Sequence, residues 1–194
     1  MFLFEIFLSF VGASAIQGYR ARWLRGPKIP MTTVNDAQDL RIETATVEDL
    51  DGLTELVMDL FRLEEDFEPD RSKQEHGLRL ILEQPNRGRI FLLRSEHRII
   101  AMVNLLFTIS TAEGGMVVLL EDFIVHPDHR RQGFGGRLLE HVVEFSNQRG
   151  FLRITLLTDR VSKPSQEFFA RHGFATSKMV PMRRVLVPGS SSSS

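Results

Sequence analysis

Apolar positions between Arg41 and Val187 switch between two spacings, one of about two residues and one of about 3.6. Arg41–Ala45 alternates and predicts a first strand. Thr46, with Glu48 and Asp49 behind it, reads as the cap and acidic first turn of a helix. Leu50, Leu53, Leu56, Val57, Leu60 and Phe61 then share one helical face. Ser72, followed by Glu75, predicts the cap of a second helix whose buried stripe is Leu78, Ile81 and Leu82. The cluster from Pro85 to Gly88 breaks that pattern. Ile90–Leu93 and Ile99–Ile109 predict two strands joined by a turn from Ser95 to Arg98. Met116–Val125 predicts a third, after the turn Glu113-Gly114-Gly115. His126–Phe134 reads as a loop. A helix from Gly135 or Gly136 to Arg149 carries Leu138, Leu139, Val142, Val143 and Phe145 on its apolar side, and Gly150 stops it. Phe151–Leu157 predicts a strand, Pro164–Arg171 a short helix with proline at its start, and Met179–Val187 a last strand. The order β-α-α-β-β-β-α-β-α-β puts antiparallel strands before a β-loop-α-β crossover. The fold class is α/β, with a mixed sheet and helices on both faces.

The two ends differ from this middle. Residues 1–16 are an apolar run interrupted by Glu5 and Ser9, followed by Arg20, Arg22, Arg25 and Lys28. The run is shorter than the roughly 20 residues of a spanning helix. Three readings compete for residues 1–30: an upstream extension before Met31, a membrane-surface anchor, and a signal peptide cleaved near Ala13-Ser14-Ala15. We take the first, with membrane association through residues 1–16 as the alternative. The domain is then expected over 31–188, and residues 189–194 form a serine-rich tail with no reason to fold.

Composition narrows the chemistry. The 194 residues are 42% hydrophobic and 25% charged, as in an ordinary globular domain, and 15 of them are Phe. With 24 Lys+Arg against 25 Asp+Glu, no nucleic-acid partner is expected from bulk charge. The absence of Cys excludes disulfides, thiolate catalysis and Cys-based metal sites, and fits a reducing, cytoplasmic location. No His pair with metal spacing falls on a predicted helix, so no metal is expected. Tyr19 and Trp23 both precede Met31. From Met31 onward, proton transfer must fall to Asp, Glu, His, Ser, Thr, Lys, Arg or backbone.

The chemically informative stretch runs from Val125 to Leu139. A buried strand ends at Val125, and a loop rich in Gly and Arg opens directly into a helix. A helix start leaves four N–H groups without intrahelical partners and carries about half a positive charge. Glycines let those N–H groups close on a ligand, and Arg130, Arg131 and Arg137 add charge. This predicts an anion site suited to a pyrophosphate. It is not a Walker motif, since no Gly-Lys-Ser/Thr follows, and Gly133-x-Gly135 lacks the third glycine of a dinucleotide fingerprint. His126 and His129 read as surface residues of the same loop.

Arg130-x-x-Gly133-x-Gly135, after the strand Leu120-Glu121-Asp122-Phe123-Ile124-Val125, resembles the GNAT superfamily of acyl-CoA-dependent N-acetyltransferases, whose motif has the form Arg/Gln-x-x-Gly-x-Gly/Ala. Phe168-Phe169-Ala170-Arg171-His172-Gly173-Phe174 resembles the family's short helix ending in Gly-Phe, and the element order agrees over about three quarters of the chain. The resemblance implies a mostly antiparallel mixed sheet of six to seven strands. It also implies acetyl-CoA as co-substrate, held by the backbone of Phe123, Ile124 and Val125 along the pantetheine arm. The N–H groups of Arg131, Gln132, Gly133, Phe134, Gly135 and Gly136 would then sit around the pyrophosphate. Glu121 is the implied base that deprotonates an ammonium, directly or through water. In a regular strand Asp122 would point to the opposite face from Glu121; a bulge would alter that parity. Two positions depart from the family: Phe169 stands where Tyr often protonates the departing thiolate, and Ser162 where Asn often touches the pantetheine. Water, a Ser or a His must then protonate the thiolate.

The implied function is acetyl transfer to a primary amine by direct attack in a ternary complex. The acceptor would be a small-molecule amine or a lysine-containing partner, and the assembly a homodimer by analogy. The alternative is a catalytically weak acyl-CoA-binding module on the same fold. The acidic residues Glu64, Glu65, Asp66, Glu68 and Asp70 read as a solvated loop, with a cationic acceptor as the other reading.

Overall fold

The computed structural model describes residues 40–62, 68–158 and 162–186. In chain order these form β1 (Leu40–Thr44), a 3-10 turn (Val47–Asp49), α1 (Leu50–Phe61), α2 (Arg71–Leu82), β2 (Gly88–Ser95), β3 (Arg98–Ser110) and β4 (Gly115–Val125). A second 3-10 turn (Pro127–His129), α3 (Phe134–Gln148), β5 (Ile154–Leu156) and α4 (Lys163–Arg171) follow.

Local chemistry explains most boundaries. The backbone N–H of Thr46 donates to Asp49 at 2.8 Å, closing the box that starts the first helical segment. The cap of α2 is Asp70, which accepts from the N–H of Lys73, and not Ser72 as the sequence pattern suggested. A carboxylate at that position adds charge to the hydrogen bond and outcompetes a hydroxyl two residues on. Gly150 ends α3 with φ +71°, a conformation that favours glycine.

The five strands lie in the order β1-β2-β3-β4-β5, a mixed α/β sheet. The first three pairings are antiparallel, and β4–β5 is parallel. Among the described residues five strands stand where six to seven were expected. Residues 179–186, expected as the last strand, carry no strand and lie exposed, with Met182 97% accessible. Their apolar side chains suit a strand, but no described surface buries them, and Pro181 removes a ladder donor. The predicted strand Phe151–Leu157 is also shorter, because Phe151 donates to Ser146 O and so closes the end of α3 instead.

Helices cover both faces, each over its own core. On one side α1 and α2 pack Leu53, Leu56, Val57, Leu60 and Leu78 against Ile90, Leu92, Met102 and Ile124. On the other, Leu138, Leu139 and Val142 of α3 with Phe168 and Phe169 of α4 pack against Val103, Leu105, Leu120, Phe123 and Val125. Among the described residues no helix is long and apolar enough to cross a membrane; residues 1–16 lie outside them.

The β3–β4 ladder holds one irregularity. Val103 pairs with Phe123 and Leu105 with Leu120, so Asn104 alone faces both Glu121 and Asp122. This two-for-one bulge resets side-chain parity. Leu120 and Phe123, three residues apart, therefore share the α3/α4 core.

Leu138 is fully buried in the turn that seats the start of α3 on the sheet. Leu138→Ala is expected to lower stability by about 2–5 kcal/mol in urea unfolding, with the slope of the transition unchanged.

Candidate functional site

The bulge places both carboxylates on the Asn104 side of the sheet, under α1. Residues Val103 and Leu105 face the α3/α4 core, so Asn104 between them faces the other way, and so do the two residues between Leu120 and Phe123. A regular strand would have put Asp122 opposite Glu121; the bulge brings them together. Asn104 Nδ2 donates to Asp122 Oδ2 at 3.3 Å. Glu121 is 2% exposed, and its Oε2 has no hydrogen-bond partner among the described residues. Burial raises its pKa from 4.5 to about 7, and the neighbouring Asp122 carboxylate adds to the effect. Burial also raises Asp122, against the stabilising hydrogen bond from Asn104. Glu121 thus has the proton affinity that a base working near neutrality needs.

Beyond the bulge, β4 leaves its parallel neighbour. The ladder with β5 runs from Val118–Ile154 to Leu120–Leu156 and stops there, while β4 continues to Val125. Phe123, Ile124 and Val125 keep their pairing with β3, and their other edge pairs with no strand among the described residues. All three side chains are buried in the two cores, leaving backbone as what they offer along the other edge.

The chain then turns into α3. Arg130 Nε donates to Val125 O at 2.9 Å, so part of the guanidinium expected to meet an anion instead closes the loop onto the strand. Gln132 Nε2 likewise donates to Asp128 O. Arg137 reaches back to Leu40 O at 3.1 Å, away from the helix start. Arg131 (φ +61°) and Gly133 (φ +84°) are both left-handed. Gly133 followed by the right-handed start of α3 forms a concave row of N–H groups. Arg137 N already donates to Gly133 O, whereas the N–H groups of Phe134, Gly135 and Gly136 have no acceptor among the described residues. A Cβ on Gly133 would meet nothing within 4 Å, so the space above the loop is open. A Cβ at Gly135 would meet the rings of Phe123 and Phe168 and the Val125 side chain at 3.6 Å each, so the start of α3 packs close over the end of β4.

On α4, Ser162 precedes the first turn and its hydroxyl hydrogen-bonds Ser165 Oγ at 2.9 Å. Phe169 is buried, its ring centroid 6.0 Å from that of Phe123. His126 and His129 are half-buried, with ring centroids 5.7 Å apart. Of the acidic run, Glu64, Glu65 and Asp66 lie outside the described residues, Glu68 is exposed and Asp70 caps α2. Among the described residues no group of three metal-binding side chains is assembled. The structure brings to the carboxylate pair one residue that pattern reading passed over, Asn104. Its only trace in the sequence is a single amide inside the apolar run Ile99–Phe107.

Two outcomes follow from this geometry. Gly133→Val forces a β-branched residue into a left-handed conformation and fills the open cradle; binding of inorganic pyrophosphate, measured calorimetrically, is expected to weaken at least about tenfold. The folded chain keeps the Glu121 proton between pH 4.5 and about 7, where an unfolded chain has lost it. Stability therefore falls as pH rises through that window. Glu121→Gln removes the Glu121 share of this slope, gaining about 3 kcal/mol relative to the unmodified chain between pH 4 and pH 8 in urea titrations.

Residues 50–174 match the profile of the Acetyltransferase (GNAT) family. An uncharacterized N-acetyltransferase, YhfO, of Bacillus subtilis (strain 168) is 27% identical over 90 residues, which are 46% of this chain and 60% of that protein. The chain thus aligns with less than two thirds of that relative. Among solved structures, a "possible acetyltransferase" from Clostridium difficile 630 superposes with a TM-score of 0.71 at 14% identity, over 77% of this chain and 99% of its own. An aminoglycoside acetyltransferase from an uncultured soil metagenomic sample, in complex with sisomicin, gives 0.64 at 22% identity, over 76% and 97%. These two likenesses show the fold. The matched profile takes in the whole β4–loop–α3 crossover and the Gly-Phe end of α4, and the chain belongs to the acetyltransferase (GNAT) family.

Proposed function

We propose that the protein transfers the acetyl group of acetyl-CoA to a primary amine by direct attack in a ternary complex. One observation carries the reading: β4 departs from β5 after Leu120 and its end feeds straight into the donor-rich start of α3. A long ligand with an anionic middle and a carbonyl at its tip fits that continuity. The residues present suit acetyl-CoA, because the cradle above Gly133 is open and three N–H groups beside it lack acceptors.

Bound acetyl-CoA supplies an acyl thioester. The N–H groups from Arg131 to Gly136 hold the pyrophosphate. The free edge of Phe123, Ile124 and Val125 takes the pantetheine arm, and an N–H there polarises the thioester carbonyl. Ser162 lies at the start of α4, where it contributes a hydroxyl to the same arm. Glu121 accepts a proton from the ammonium, directly or through water, and so frees the nitrogen lone pair. The new C–N bond replaces the C–S bond, the nitrogen sheds its second proton to water, and the thiolate leaves to be protonated by water, Ser or His.

The acceptor is a small-molecule amine or a lysine-containing partner; the sisomicin complex of the metagenomic neighbour is an example of the first class. The acting unit is residues 31–188, working in the cytoplasm. One observation favours the second reading, a weakly catalytic acyl-CoA-binding module. Phe169 packs ring to ring against Phe123 and Phe174, so the position offers no proton to a leaving thiolate.

The test uses the full chain. Acetyl-CoA at 100 times its dissociation constant is expected to add about 2.7 kcal/mol of stability, a thermal shift of several degrees. Thiol release over a panel of amines is then expected to identify an acceptor. With that acceptor, Glu121→Gln is expected to lower kcat/KM by about a hundred- to ten-thousandfold and to remove the pH limb near 7. Binding without thiol release would establish the weakly catalytic reading; no thermal shift would overturn both.

A further inference from the structure

Two carboxylates on consecutive residues of a buried bulge cannot both ionise cheaply. The pair titrates as a unit, and which oxygen keeps the first proton depends on the donors each carboxylate has. Asp122 has the Asn104 amide at 3.3 Å across the bulge, and its own backbone N–H also favours the charged form. Glu121 leaves Oε2 without a donor among the described residues. An anion settles where the donors are. We propose that Asp122, held as a carboxylate by Asn104, is a positioning residue that makes Glu121 the proton-carrying member of the buried pair. This deepens the reading of Glu121 as the base and rests on it for its catalytic meaning.

Among the described residues, Asn104 is the side chain that makes this division. From α1 the residues turned to the sheet are Leu53, Thr54, Leu56, Val57 and Leu60, and the Thr54 hydroxyl is already engaged by Leu50 O. The charged groups of α1 turn outward: Asp51 and Glu55 pair with Arg71 of α2, and Asp59 with Arg62. On α2 the buried residue is Leu78, and Glu75 pairs with Arg79 at the surface. On the opposite face the titratable group of α3 nearest the core, His141, meets the ring of Phe91 edge-on. The residues of α4 buried there are Ser165, Phe168 and Phe169. From β3 the polar side chain at the bulge is Asn104 itself, 1% exposed. The consequence is directional. A fixed negative charge on Asp122 raises the proton affinity of Glu121, and so its strength as a base, while leaving Asp122 out of the proton transfer.

The full chain, with carbon-13 in its Glu and Asp carboxyl groups, reports both members by NMR without any acceptor or turnover. Glu121→Gln and Asp122→Asn assign the two resonances. In the unmodified chain a Glu resonance is expected to titrate near 7. In Asp122→Asn that midpoint is expected to fall by about one pH unit or more, since only burial then remains to raise it. In Asn104→Ala the proton is expected to move: an Asp resonance titrates near neutrality and the Glu121 midpoint falls. A Glu121 midpoint that stays put in Asp122→Asn, or an Asp122 resonance unchanged in Asn104→Ala, overturns the proposal. Should Asp122→Asn fail to fold, Asn104→Ala decides alone, because it leaves both carboxylates in place. Loss of acetyl transfer with these titrations intact would count against the proposed function and not against the coupled pair. Once an acceptor is known, the base limb of kcat/KM must follow the same midpoints, a readout that a merely structural Asn104 would not move.

Discussion

Nearly everything about the candidate site depends on the extra residue that β4 carries against β3. Opposite Asn104, two residues occupy the space of one. That displacement lets Leu120 and Phe123 serve the same core, which holds α3 and α4 in place. It also turns Glu121 and Asp122 to one side, where a regular strand would have split them. A pair of adjacent buried carboxylates would otherwise be a liability, since each desolvated charge costs several kcal/mol unless it is neutralised or paired. Here one of the two retains its proton near neutrality, and the other receives an amide. A cost to folding is thereby turned into a proton affinity that suits the proposed base.

The same strand arranges the anion end. After the bulge β4 runs on beyond its parallel partner, then hands the chain through a loop into α3. The loop is stiffened from within: Arg130 bonds the last carbonyl of the strand, Gln132 bonds Asp128 O, and Gly135 rests on Phe123, Val125 and Phe168. The charged side chains of the motif thus act partly as braces. What remains for a ligand is chiefly backbone, the N–H groups at the start of α3 and the field of the helix. Such donors do not move when a ligand arrives, and this preorganisation gives them their value.

Much of this was legible in the sequence. The paired strands, the crossover helix and the glycine loop announce themselves because their periodicities are long and their punctuation unambiguous. Residues Glu121, Phe123–Val125 and Arg131–Gly136 could be named from one contiguous stretch. The roles of Arg130 and Arg137 could not, since a guanidinium is long enough to fold back on a carbonyl as easily as to reach outward. The bulge left only a weak mark. Asn104 is one polar residue in an apolar run, and its partner lies 18 positions away along the chain. The last strand failed for the opposite reason. Residues 179–186 are rich in the apolar residues of a strand, but such residues ask for a buried face and do not supply the neighbour that buries it.

The proposed function requires one continuous ligand path along the outer edge of β4 and over the start of α3. Amide hydrogen exchange with and without acetyl-CoA addresses it most directly, because the amides in question are named. Slower exchange in both Phe123–Val125 and Phe134–Gly136, with the middle of α3 unchanged, is the expected result. Protection elsewhere with both segments unaffected would contradict the account.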